Sequence, residues 1–174
     1  LREEIAARLA AAGRAAAEAD YAAKRFDSAA AAYARAVALK PDLAGAVEGR
    51  YISSVIPGVV KAANEKDYAE AGRRLAPLLG FAPTDPRVLY LLGSIRAGTG
   101  DLAGAADCFA RGLGRRSSGG ASHEEVLALH KELGESFGAK GLQLDTPFEE
   151  RFAEAETGDW KKAESARFVA YPHN

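Results

Sequence analysis

Residues 86–113 constrain the fold more than any other stretch, because they carry two short amphipathic segments around one turn. The first segment places Leu89, Leu92 and Gly93 on one side; the second places Leu102, Ala105, Phe109 and Gly112. Apolar or small residues at steps of three and four describe the facing stripes of two packed helices. Between them, Gly98-Thr99-Gly100-Asp101 supplies residue types that reverse a chain. No period-two alternation, the mark of a half-buried strand, accompanies them, so the expected class is all-α.

The pattern recurs upstream. Residues 26–40 put Phe26, Ala29, Tyr33, Ala36 and Val37 along one stripe and end at Pro41-Asp42, since the residue before a proline avoids the helical region. Residues 67–83 repeat the arrangement with Tyr68, Ala71, Leu75, Leu78 and Pro83. Phe26 to Tyr68 is 42 residues and Tyr68 to Leu102 is 34, so the first interval carries a surplus of eight. That surplus falls in 43–66, which holds the apolar run from Tyr51 to Val60 and, inside it, Pro57-Gly58. An interior proline costs a helix about 3 kcal/mol. The expectation is a long or broken helix with an apolar bend projecting near 52–60, and a bend at Pro77 in the helix after it. Residues 1–24 read as one helix with Glu3 and Glu4 at its positive end and a candidate break at Gly13.

These residues resemble the tetratricopeptide repeat. The 34-residue interval is that family's period, and Ala29, Tyr33, Ala36 and Pro41 fall on its small, aromatic, small and proline positions. The resemblance covers about residues 8–113. It extends loosely to 145–170, where Trp160 and Ala163 match but Arg167 stands at the aromatic position. It implies a right-handed superhelix of stacked antiparallel helical hairpins, each with an apolar face that it cannot bury alone. Three hairpins are expected over 1–114, with an insertion in the second, followed by a flexible joint at 115–121. Residues 122–174 are expected to add further helices to the same domain, including a degenerate fourth hairpin. Ser122, with Glu125 three residues on, is the start signal for a helix over 123–137. Thr146-Pro147-Phe148-Glu149 is a second such signal.

Composition narrows the function classes. A length of 174 residues suits one domain with a real core. A net charge of −1 argues against a dedicated nucleic-acid surface, which needs a basic excess. No apolar run approaches a membrane span, so no membrane insertion is expected, and no signal-peptide pattern opens the chain. The single Cys108 excludes an internal disulfide framework and suits a reducing, cytoplasmic setting. The chain starts at Leu1 and contains no Met, which reads as a fragment of a longer or processed protein.

Motifs with catalytic overtones reduce to structural ones. Gly98-Thr99-Gly100-Asp101-Leu102-Ala103 matches a dinucleotide fingerprint in letters, but that chemistry needs a preceding strand, and here a helical pattern precedes it. His123-Glu124-Glu125 opens like a zinc-protease motif, yet Leu127 stands where the second histidine belongs. His123 and His130 are read as partly exposed helix residues, Cys108 as a small packed side chain, and Glu149-Glu150 as helix N-terminal charge preference. No enzymatic activity, metal or cofactor is expected.

What the resemblance does imply is a concave groove lined by the first helix of each hairpin. Its positions fall on Arg14, Glu18 and Tyr21, then on Arg87, Tyr90, Leu91 and Ser94, with Arg50 and Tyr51 in the irregular second hairpin. Tyrosine and arginine dominate interface energetics. The expected function is a protein-interaction module or scaffold that binds a partner protein or peptide there. Tyr21 and Tyr90 have a second reading, as seals between neighbouring hairpins. The functional alternatives are a structural subunit within a multiprotein complex, or an Hsp70/Hsp90 co-chaperone-type domain. The latter is disfavoured by Glu18, which sits where a clamp for a partner carboxylate would place a neutral donor.

Overall fold

The computed structural model describes residues 2–116 and 122–137. These form seven α-helices and, among the described residues, no strand. The elements are α1 (Arg2–Ala22), α2 (Phe26–Leu39), α3 (Ala44–Asn64), α4 (Tyr68–Phe81), α5 (Pro86–Gly98), α6 (Leu102–Gly112) and α7 (His123–Phe137), with a 3-10 turn, Pro41–Leu43, before α3. Consecutive helices pack as the hairpins α1/α2, α3/α4 and α5/α6, joined through α2 on α3 and α4 on α5, with α7 packed on α6 and α5. The joint at 117–121 and the expected helices beyond 137, including those around Thr146 and Trp160, lie outside the described residues.

The three hairpin turns are built alike. Lys24, Lys66 and Gly100 each adopt a left-handed backbone, with φ of 58°, 63° and 88°. The next residue's amide then closes back on the helix: Arg25 to Asp20, Asp67 to Ala62 and Asp101 to Arg96. Asp67 and Asp101 go on to cap the following helix, their carboxylates accepting from the Glu70 and Gly104 amides at 2.9 and 2.8 Å. The Gly98–Asp101 stretch is such a turn between two helices. In the first hairpin Arg25 occupies the cap position without a side-chain cap bond; the Asp20 carboxylate instead accepts from the Arg25 guanidinium and the Ser28 hydroxyl.

The inward stripe is the expected one. Tyr33, Leu75 and Phe109, the equivalent positions of α2, α4 and α6, are all fully buried, as are Ala17 and Val59 on α1 and α3. Gly93 is their counterpart on α5, and the Phe109 ring lies where its side chain would be: a Cβ there would fall 2.4 Å from that ring. Gly13 does not break α1; its backbone packs near Ala36.

The second hairpin departs from expectation. No apolar bend projects at 52–60. The helix α3 runs unbroken through Pro57, and Ile52, Val55, Ile56, Val59 and Val60 are buried. Burial at roughly 1.5–3 kcal/mol per large apolar side chain outweighs a proline penalty of about 3 kcal/mol. The eight surplus residues lengthen the helix instead. Like α1, α3 has 21 residues, whereas α5 has 13. Likewise α4 continues through Pro77, on its exposed side.

Candidate functional site

An open hollow lies on one side of the first hairpin, between α1 and the connection from α2 to α3. Its volume is about 320 Å³, and it is lined by Ala7, Ala11, Arg14, Ala15 and Glu18 of α1 together with Lys40 and Leu43 from the α2–α3 connection. Ala7, Ala11 and Ala15 recur every fourth residue, so one edge of α1 offers only methyl groups there.

Arg50 of α3 ties the neighbouring polar residues together. Its Nε lies 3.9 Å from the Glu18 carboxylate, and its guanidinium carbon sits 4.6 Å from the centre of the Tyr21 ring. Tyr21 in turn meets Phe26 edge-on at 5.6 Å. Behind them Tyr33 is fully buried. Burial pushes its phenol well above the ordinary tyrosine range, and the Glu18 carboxylate adds to the shift. Four of the expected groove residues, Arg14, Glu18, Tyr21 and Arg50, therefore belong to one connected surface.

The other five do not join them. Tyr51 is 5% exposed, between Tyr33 and Phe81. Tyr90 and Ser94 are 3% and 1% exposed. Tyr90 stacks on His130 at 4.6 Å and meets Phe137 edge-on at 5.3 Å, so it joins α5 to α7 and presents no surface to a partner. The reason is topological: α3, α4, α6 and α7 all pack on α5, leaving nine of its 13 residues buried. Leu91 is buried as well. Arg87 is held at the start of α5 by Asp85, which accepts from its Nε at 3.0 Å and its terminal nitrogen at 2.8 Å. Burial works against the Asp85 charge, but the bonds from Arg87 prevail and keep the carboxyl below its usual range.

His130 is a further correction. It is 7% exposed, and burial among Tyr90 and Phe109 pushes its imidazole down to about 4. Cys108 is fully buried, which pushes its thiol up and away from nucleophilic use. Among the described residues no group of three or more His, Cys, Asp or Glu side chains gathers to hold a metal, and no helix is long and apolar enough to cross a membrane. The sequence reading missed Lys40, Leu43 and the alanine edge. The signal for the alanine edge was the fourth-residue spacing of Ala7, Ala11 and Ala15; no local pattern marks Lys40 and Leu43.

Comparison with family models, with curated proteins and with solved structures gave no match to this chain.

Proposed function

We propose that this chain is a protein-interaction module of tetratricopeptide type, its hairpins stacked as a right-handed superhelix, that docks a segment of a partner protein against α1 and α3. The observation that carries this reading is the convergence of Arg14, Glu18, Tyr21 and Arg50 beside an open, alanine-lined hollow. The equivalence of Tyr33, Leu75 and Phe109 supports the repeat assignment. The surface joins an aromatic ring and exposed cations to one acid, Glu18, which Arg50 already faces. To test it, the intact chain is used to capture partners, which are identified by mass spectrometry and then titrated by calorimetry. Arg14→Glu and Arg50→Glu are each expected to weaken the binding about tenfold or more, the scale of an interface anchor. Arg73→Glu, on α4, should leave it unchanged. Binding indifferent to the first two substitutions would sink the proposal.

One observation favours the second reading, a structural subunit of a larger assembly. Ile5, Leu9 and Leu39 are exposed at 49%, 54% and 44%. Glu18 and Tyr21 turn toward Arg50 of α3, and at about 100° per residue Ile5 and Leu9 project from the opposite side of α1. A helical hairpin that turns an apolar face outward needs a neighbour to cover it. Ile5→Glu with Leu9→Glu would abolish incorporation into such an assembly and leave docking at the hollow intact.

A further inference from the structure

The chemistry of the hollow is specific enough to name the kind of segment it takes, given the reading of the chain as an interaction module. A volume of about 320 Å³ is roughly ten times the ~30 Å³ that a water molecule occupies in the liquid. It lies at the lower limit of the ~300–1,000 Å³ typical of small-molecule pockets. An open hollow of that size suits one protruding side chain. Its floor is apolar, because Ala7, Ala11 and Ala15 present methyl groups and Leu43 faces them from the α2–α3 connection.

Charge decides what flanks that side chain. Glu18, the one acid in the lining, already faces Arg50, and Arg50 is held over the Tyr21 ring. Arg14 and Lys40 line the same hollow from two different elements, both exposed, and among the described residues no ion pair engages either. The acid is answered, and two cations remain beside an apolar floor.

We propose that the hollow receives one bulky aliphatic side chain of a partner segment whose neighbouring residues are acidic and pair with Arg14 and Lys40. The aliphatic group gives the burial. The carboxylates set the orientation and reject basic segments, since exposed ion pairs add little affinity but discriminate by repulsion. The site belongs to the boundary of the first two hairpins, because Lys40 and Leu43 stand in the connection that joins α2 to α3.

The test uses the whole chain and three fluorescein-labelled nonapeptides, read by fluorescence anisotropy. One has a central leucine flanked by glutamates; the second has lysines for the glutamates; the third has glycine for the leucine. The first should bind, and the other two at least about tenfold more weakly. Ala11→Trp, which fills the hollow from an exposed helix position, should cost the first peptide about tenfold or more. Arg14→Glu combined with Lys40→Glu should reverse the preference toward the lysine peptide, and thermal melts would show that both variants stay folded. The proposal is overturned if none of the peptides binds, or if binding of the first ignores both variants. If a captured protein partner binds Ala11→Trp and the reversed-charge variant normally but fails on Arg50→Glu, this inference falls while the interaction-module reading stands.

Discussion

The first and third hairpins are packed by opposite means. Between α1 and α2 the contact is made mostly of small residues: Ala10, Ala17, Ala29, Ala32 and Ala36 are buried, with Gly13 beside Ala36. Between α5, α6 and α7 the contact is aromatic. Phe109 lies on Gly93, Tyr90 stacks on His130, and Phe137 closes on Tyr90. Alanine packing brings two helices close but buries little area per residue, so most of α1 stays exposed and free to carry a surface. Aromatic packing commits most of α5 to the core, and with it Tyr90 and Ser94. The same helical pattern thus leaves the first hairpin largely exposed and packs α5 into the core.

The largest test of that contrast is Phe109→Ala. Loss of burial and the cavity left over Gly93 should destabilise the chain by about 3–5 kcal/mol, read as a lowered melting temperature or denaturant midpoint. An unchanged melt would reject the aromatic account of the third hairpin.

The next effect is the pH response of the same cluster. The folded-state value for His130, about 4, lies below the ordinary 6.5. The unfolded chain therefore binds the proton more readily, and the stabilisation from neutral burial is complete above about pH 6.5. It declines as pH falls and is lost below about 4, an effect of about 3 kcal/mol at one 1.36 kcal/mol step per unit. Denaturant melts between pH 7 and pH 4 should show this decline, and His130→Leu should remove it. Equal pH dependence in both proteins would exclude His130 as its source.

The smallest effects compare two glycines. At Gly93 an added methyl meets the Phe109 ring at 2.4 Å, so Gly93→Ala should destabilise by roughly 1–3 kcal/mol through overpacking. At Gly13 the added methyl meets the Ala36 Cβ at 3.6 Å, an ordinary contact, so Gly13→Ala should stabilise by about 0.5–1 kcal/mol through helix propensity. Shifts of the same sign at both sites would show that the two hairpins pack alike after all.

Local chemistry was legible in the residues alone. Steps of three and four placed α2, α4, α5, α6 and α7 to within a few residues, and the equivalence of Tyr33, Leu75 and Phe109 predicted their burial. Ser122 caps α7 as its spacing implies, accepting from the Glu125 amide at 3.1 Å. Arg14, Glu18 and Tyr21, which the resemblance assigns to a groove, also share one face of a single helix, and so their proximity was legible from period.

What the sequence by itself determined, then, is which residues form helices and which face of each turns inward, since both follow from period and turn chemistry within a few residues. Only the tertiary structure decided how the surplus in 43–66 is spent, because Pro57 is locally a helix breaker and it is the burial of Ile52, Val55 and Val59 against other helices that overrules it. It also decided which expected groove residues remain at a surface. Tyr51 is closed in by Tyr33 and Phe81, and Tyr90 by His130 and Phe137. Exposure depends on what arrives from distant parts of the chain, and no local spacing encodes that.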